Sequence, residues 1–359
     1  MKRNMPLFSI VMPTYGVEGY ISEAIACVQA QTCPDWELIV VDDCTPDRSA
    51  DIARNAARKD ERITVVSHPV NKGLSAARNT GIDRAHGAYV WFPDPDDRYD
   101  DCLLECAKRA IDERPYDVVL FGHAEEYYAP DGSFQYAHPI ELAEHRDLEQ
   151  ASLRAEVLDL EQATVLGYAW NKLYRLDRIR AAGLEFEDDA PLIEDIVFNV
   201  EYFETVRDAA FLPGTPYHYA KRTASNLTNK FVPRYFELHR RRIESIFAQQ
   251  RRWGLDTPEA RATMGALFGR YVLSALERNC DPRAGMSGRD RRAWCRRLFE
   301  DDLYRELIPG ARASNSRALS LGLATLRTRS ALLCTALGRL IHIARNRGGS
   351  LFTKIKSER

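Results

Sequence analysis

The sequence predicts an α/β fold: a mostly parallel sheet with helices on both faces, followed by a helical C-terminal region. Two observations predict it. Between residues 7 and 122, short apolar runs alternate with segments of helical spacing. The runs are almost continuously apolar, as strands buried on both faces are, and that is the signature of repeated β-α units. From Pro233 onward only helical spacing is found.

The elements follow in order. Phe8-Ser9-Ile10-Val11-Met12 is a first strand, and residues 18 to 31 carry Ile21, Ile25 and Val28 at helical spacing. Glu37 to Val41 is a second strand and Asp47 to Arg58 a second helix. Ile63 to Val66 is a third strand, followed by a helix from Leu74 to Ala85 with small residues on one face. A fourth strand runs from about Ala88 into Asp94, rich in aromatic and β-branched residues. Asp100 to Arg114 is helical and Val118 to Phe121 a fifth strand. Residues 123 to 166 are less regular, 167 to 228 return to short strands and one helix, and a boundary is placed near Lys230. Beyond it, helices are expected at roughly 234 to 252, 257 to 279, 287 to 307 and 315 to 346.

Composition narrows the function classes. The 359 residues leave room for one large domain or two, and 45% hydrophobic with 28% charged residues is ordinary for a globular chain. A net charge of −2 argues against a dedicated nucleic-acid binder. The eight cysteines are scattered with no Cys-x-x-Cys pair, so reduced thiols are expected rather than a zinc site. The apolar run Phe8 to Met12 is too short for a signal-peptide core, and no stretch has the ~20 apolar residues of a membrane span. A cytoplasmic location, with peripheral contact to the inner face of the membrane, is the expectation.

In a parallel sheet, ligands bind at the carboxyl ends of the strands. Polar residues fall at four such ends: Thr14-Tyr15, Asp42-Asp43, Asn71 and Asp94-Pro95-Asp96. The last group is the most informative, because a buried-looking strand ends in Asp94, Asp96 and Asp97. Alternate residues of an extended chain point the same way, so Asp94 and Asp96 can address one site. An oxygen-only cluster suits a hard cation, Mg²⁺ or Mn²⁺. A solvated acidic turn would have the same composition. There is no Gly-x-Gly-x-x-Gly and no Walker lysine loop, which disfavours a dinucleotide-binding dehydrogenase and a P-loop enzyme.

These motifs together resemble the family 2 glycosyltransferases, which have the nucleotide-diphospho-sugar (GT-A, Rossmann-like) fold. The resemblance rests on Ser9 to Tyr15, Gln29-Ala30-Gln31-Thr32, Trp36 to Asp43, Asn71 to Gly81 and Phe92 to Asp97. It continues through Ala169 to Tyr174 and Glu194 to Phe198, covering roughly residues 7 to 228. It implies a GT-A catalytic domain over 1–230, with a nucleotide-sugar part at about 7–122 and an acceptor-side part at about 123–230, then a helical region over 231–359. It further implies that Pro13, Tyr15 and Asp43 line the base pocket, with Asp43 accepting the uracil N3–H. Asp43 would equally serve as a helix N-terminal charge. Asn71 and Arg78 would contact the nucleotide, Arg78 being also suited to pair with Asp94. Asp94 would lie by the ribose and Asp96 would bind the metal that bridges the phosphates.

Pro93 and Pro95 depart from the family pattern, stiffening the loop while removing N–H donors. Asp195 matches the catalytic base of inverting members, with Glu194 positioning the acceptor. A carboxylate pair at a helix start is also favoured by the helix dipole alone. Tyr217 to Ser225 resembles the basic segment that closes over the diphosphate, so Lys221, Arg222 and Ser225 are candidates for phosphate contact. His218 is a candidate third metal ligand or a structural histidine.

From Gly310 to Arg359 there are ten Lys or Arg and one acid, Glu358. Leu333, Leu337, Leu340, Ile341 and Ala344 share a helix face there. A basic amphipathic helix reads as a membrane-surface element, or as a packed helix with a solvated basic face. The resulting expectation is a metal-dependent inverting glycosyltransferase, using a UDP-sugar donor and a glycan or polyol-phosphate acceptor on the cell surface. The helical third would serve acceptor binding, membrane contact or formation of a homo-oligomer. The alternatives are a catalytically impaired nucleotide-sugar-binding scaffold and a sugar-phosphate nucleotidyltransferase. The latter should carry a glycine-rich basic loop where this chain has Pro13-Thr14-Tyr15-Gly16.

Overall fold

The computed structural model describes residues 5–143, 145–222, 231–313 and 316–347. The chain divides into two compact units, Met1–Asn229 and Lys230–Arg359. The first unit is built on one ten-stranded sheet. Its opening is β1 (Phe8–Thr14), α1 (Ile21–Gln29), β2 (Trp36–Asp42), α2 (Ser49–Ala57), β3 (Ile63–Ser67), α3 (Leu74–Arg84) and β4 (Tyr89–Trp91). These strands pair in parallel in the order β3-β2-β1-β4. The chain leaves β1 toward β2 and β3 and returns on its other side as β4. A topological switch point therefore lies between β1 and β4, where α/β sheets open a crevice at the strand ends.

Strand β1 is buried along its whole length and β2 along all but one residue, as their apolar runs require. Helix α3 lies close against β1: a Cβ built on Gly81 would come within 2.1 Å of a Val11 methyl. The small residues of that helix are thus a packing requirement. Strand β4 stops at Trp91, short of the expected Asp94, because Pro93 and Pro95 cannot donate to a ladder.

After β5 (Arg98–Tyr99) and α4 (Leu103–Glu113) comes β6 (Val118–Tyr128), which runs seven residues beyond the expected Phe121. The unit continues with β7 (Phe134–Ile140), β8 (His145–Glu149), α5 (Gln150–Gln162), β9 (Lys172–Arg175), α6 (Leu176–Ala182), α7 (Glu194–Thr205) and β10 (Asp208–Arg222). Strand β9 inserts antiparallel between β4 and β6, so this half of the sheet is mixed rather than parallel. Strand β10 pairs in parallel with β6 and antiparallel with β5.

The second unit contains α8 (Tyr235–Arg252), α9 (Pro258–Arg278), α10 (Gly288–Glu300), α11 (Asp302–Leu307), α12 (Arg317–Arg327) and α13 (Ala331–Arg347). The two long helices expected at 287 to 307 and 315 to 346 are each divided. Asp301 ends α10 in an extended conformation, and its Oδ1 accepts the Tyr304 N–H at 3.1 Å to cap α11. Arg329, at φ 50°, separates α12 from α13. Helix α9 is central to this unit, packed by α8, α11, α12 and α13. Among the described residues, no helix is long and apolar enough to cross a membrane.

Candidate active site

Beyond the end of β4, Arg78 brings together Asp94 of the acidic turn and Asp195 of α7. Arg78 lies on α3 and is 1% exposed. Its guanidinium donates to the carboxylate of Asp195 and lies 3.6 Å from that of Asp94. One buried cation therefore joins the acidic turn after β4 to the first turn of α7. The Phe186 ring lies 5.1 Å below the guanidinium. Removing either carboxylate would leave a buried charge poorly compensated.

Asp195 accepts from Arg78 on Oδ1 and from the Ala169 N–H on Oδ2 at 3.0 Å. Both contacts fix its direction, and each oxygen keeps a further lone pair. Its neighbour Glu194 is held differently. Oε2 of Glu194 is enclosed with no hydrogen-bond partner, and burial pushes the carboxyl up to about 7. Asp94 is likewise pushed up to about 7 by burial, against the opposing pull of Arg78.

The turn that carries Asp94 and Asp96 is anchored from β10. The Asp94 N–H donates to the Tyr217 hydroxyl at 3.1 Å, which in turn donates to Asp97 Oδ2 at 2.8 Å. The Ala220 N–H donates to Asp97 Oδ1 at 2.8 Å. Buried Asp97 is thus the keystone of the turn, and burial raises its carboxyl well above the usual range. Arg222 donates to the Asp96 carbonyl at 2.7 Å, and its guanidinium stacks 4.4 Å over the Tyr20 ring. It is also 3.7 Å from the Asp96 carboxylate. Arg222 therefore reaches the acidic turn, while Lys221 pairs with Glu125.

Asp43 is 3% exposed and engaged on both carboxylate oxygens, with Oδ2 keeping a further lone pair. It accepts from the Lys72 and Gly73 N–H groups at 2.8 and 2.7 Å and lies 2.7 Å from His68 Nδ1. Gly73 has φ 94°, which a side chain would strain, so this carboxylate holds the loop that opens α3. Asn71 reaches the Asp43 carbonyl at 3.3 Å and is otherwise exposed. Pro13 is buried in β1, and Tyr15 beyond it is 52% exposed at the mouth of the strand end. Ser225 lies outside the described residues.

His218 is held by carboxylates other than Asp94 and Asp96. Its Nδ1 lies 3.0 Å from Glu126 and its Nε2 3.0 Å from Asp100. Strand alternation accounts for this: Tyr217 and Tyr219 turn toward Trp170, and His218 points to the opposite face. Among the described residues, no three His, Cys, Asp or Glu side chains are grouped to hold a metal. The chemistry of Asp94 and Asp96 suits a hard cation that draws its remaining ligands from water and phosphate. His218 would first have to give up one of its two carboxylates.

Several residues at this site take parts that sequence reasoning did not assign to them. Besides Asp97, Trp170 stacks 4.3 Å from Tyr217 and 4.5 Å from Tyr168, forming an aromatic wall. His123 meets the Trp170 ring edge-on at 4.8 Å, with both ring nitrogens buried and unpartnered. Burial lowers His123 to about 4, so it is neutral near pH 7. Lys172 is fully buried, its Nζ within 2.6 to 3.2 Å of the Val165, Leu166 and Tyr168 carbonyls and Asn171 Oδ1. It organises the 165–171 loop that delivers the Ala169 N–H to Asp195. The Tyr217-x-Tyr219 alternation was the signal available for the wall. Nothing in the local sequence marks His123.

The family model described as Glycosyl transferase family 2 matches residues 9–172. Over 304 residues the chain is 29% identical to the uncharacterized glycosyltransferase EpsJ of Bacillus subtilis (strain 168), spanning 85% of this chain and 86% of that one. Residues 9–172 are a glycosyl transferase family 2 domain. A second relative, the putative teichuronic acid biosynthesis glycosyltransferase TuaG of B. subtilis (strain 168), is 42% identical over 128 residues. That match covers 36% of this chain and half of TuaG. Among solved structures, S. aureus TarS 1-349 in complex with UDP-GlcNAc superposes with a TM-score of 0.63 at 20% identity. The superposition covers 95% of this chain and 92% of TarS 1-349, and it establishes the shared GT-A fold. The chain carrying this domain is a glycosyltransferase, with its strand-end acidic turn, Arg78 and the α7 carboxylates linked through one buried guanidinium.

Proposed function

We propose that this glycosyltransferase is inverting and metal-dependent, moving a hexosyl or N-acetylhexosaminyl group from a UDP-sugar to a hydroxyl of a cell-surface glycan. The observation that carries this reading is the Arg78 bridge between Asp94 and Asp195. It ties the turn suited to a metal diphosphate to a carboxylate suited to act as base. Asp195 takes the proton from the acceptor hydroxyl as that oxygen attacks the anomeric carbon. The bond to the diphosphate breaks on the opposite side, so an α-linked donor gives a β-linked product. Glu194, with its carboxyl raised by burial, offers an O–H that can hold an acceptor oxygen. Asp96, with Asp94 beside it, would hold a Mg²⁺ or Mn²⁺ ion. When bound, such a cation stabilises the negative charge that gathers on the leaving UDP. Arg222 assists from the β10 side as a fixed charge.

The UDP donor is supported by the similar fold of TarS, solved with UDP-GlcNAc. A polymer acceptor is supported by the relative named for teichuronic acid biosynthesis. The test is UDP release from a panel of UDP-sugars with Mn²⁺, with Mg²⁺ and with EDTA. Release from one donor, abolished by EDTA and by Asp96→Ala, is the expected result. Silence with every UDP-sugar, together with no calorimetric binding of UDP plus Mn²⁺, would contradict the donor assignment.

A further inference from the structure

The second unit carries a groove of about 410 Å³ between α10 and α13. Its lining combines two kinds of residue that rarely share a surface. Arg291, Arg292 and Arg339 supply positive charge, and Leu332, Leu340 and Ile343 supply apolar surface. The leucines are 67% and 63% exposed and Ile343 is 41% exposed. Among the described residues, every exposed leucine or isoleucine lies on α12 or α13.

The inner face of α13 is already satisfied. Cys334 is fully buried, Gly338 lies against the Leu276 backbone, and His342 and Arg345 both reach Glu277 at 2.8 and 2.9 Å. At 100° per residue, Leu332, Arg339, Leu340 and Ile343 lie on the other side of the helix. That outer stripe has no packing role within the unit. Its charge is also uncompensated. Helices α12 and α13 contain no acidic residue, and neither Arg292 nor Arg339 makes an ion pair among the described residues. Arg291 reaches the Asn279 carbonyl at 3.4 Å and the Cys280 thiol, neither of them a carboxylate.

We infer that the α10–α13 groove is a docking surface for an anionic lipid bilayer, with the arginines at the phosphate headgroups and the leucines in the acyl boundary. Charge complementarity selects this occupant. A peptide of mixed charge would leave arginines facing apolar atoms, and a second copy would bring the same arginines together. Interfacial elements bind through this combination of exposed leucine and uncompensated cation. The inference depends on neither the donor nor the acceptor proposed above.

The test is flotation of the full-length protein with vesicles of phosphatidylcholine alone and with 30% phosphatidylglycerol, a probe composition of roughly physiological charge. Binding is expected to the anionic vesicles only and to weaken with salt. The double variant Arg292→Gln, Arg339→Gln should partition roughly thirtyfold less, about fivefold for each surface arginine. Leu332→Gln with Leu340→Gln should also release the protein. Arg339, Leu332 and Leu340 are exposed and Arg292 is half-buried, and all four lie outside the catalytic unit, so thermal melts and UDP-sugar hydrolysis in solution should match wild type. Equal binding to both vesicle types, or no binding, would overturn the proposal. So would loss of binding only in Lys354→Gln, Lys356→Gln, which would move the contact to the tail. Concentration-dependent dimers abolished by Leu340→Gln, without vesicle binding, would make the face a subunit contact and would also overturn it.

Discussion

Arg78 is where the residue chemistry of this site is decided. Its guanidinium is buried with Asp195 and Asp94 as partners, so Arg78→Met leaves two carboxylates without their cation. Breaking a buried pair from one side costs about 3–5 kcal/mol, which equilibrium urea denaturation should register. Arg78→Lys keeps the charge but not the two-pronged geometry, and should recover stability better than turnover. Glu194 gives a pH signature. Its carboxyl is raised from an ordinary 4.5 to about 7, so the folded state keeps a proton that the unfolded chain has lost. Stability is therefore lost as pH rises from about 4.5 through about 7. Glu194→Gln removes that loss and should gain on the order of 1 kcal/mol over wild type at pH 8, with little difference at pH 4. Chemical denaturation at the two pH values checks it. The carboxylates of the acidic turn and of α7 were legible as a group because they end or begin regular elements. The anchoring of Asp97 by Tyr217 and Ala220, and any part for His123, were not, because these depend on which strands β10 and β6 lie beside.

At the scale of elements, the parallel half of the sheet could be read directly. Strands β1 to β4 are apolar runs separated by helices, and each begins within a residue or so of its expected position. The mixed half could not. Strand β10 is fifteen residues long, includes Pro213, Gly214 and Pro216, and shifts register between Leu212 and Tyr217. Irregularity of that kind hides a strand from periodicity, since only its partners make it one. Strand β9 is four residues long and carries the buried Lys172. Its ammonium donates to three carbonyls of the preceding loop, which also accept from the Asn171 or Asn199 amide, so Lys172→Met should remove the charged bonds that hold the loop. A loss of roughly 2–3 kcal/mol is expected, read by thermal or urea unfolding. Helix α3 makes a sharper prediction. Gly81→Ala would set a Cβ 2.1 Å from Val11, and separating helix from strand should cost about 1–3 kcal/mol.

For the whole molecule, the central claim is that one strand-end crevice holds both the donor machinery and the base. Two units carry distinct properties: the crevice belongs to Met1–Asn229 and the arginine-lined groove to Lys230–Arg359. Substitutions in one are therefore expected to leave the other's function intact, which solution hydrolysis and vesicle flotation can follow in parallel. The change from a sheet-based unit to a helical one was visible in the loss of strand-like runs after Pro233. The breaks at Asp301 and Arg329 were not, because both lie within continuous helical spacing. The most direct measurement is Asp195→Asn examined twice, by calorimetric titration with UDP plus Mn²⁺ and by donor turnover with acceptor. An amide at this position keeps one oxygen for Arg78 and loses the bond from Ala169, while Asp94 still faces the guanidinium, so UDP binding should fall far less than turnover, which should drop by at least ~10²-fold. Turnover that survives the substitution, or UDP binding lost along with it, would contradict Asp195 as the base.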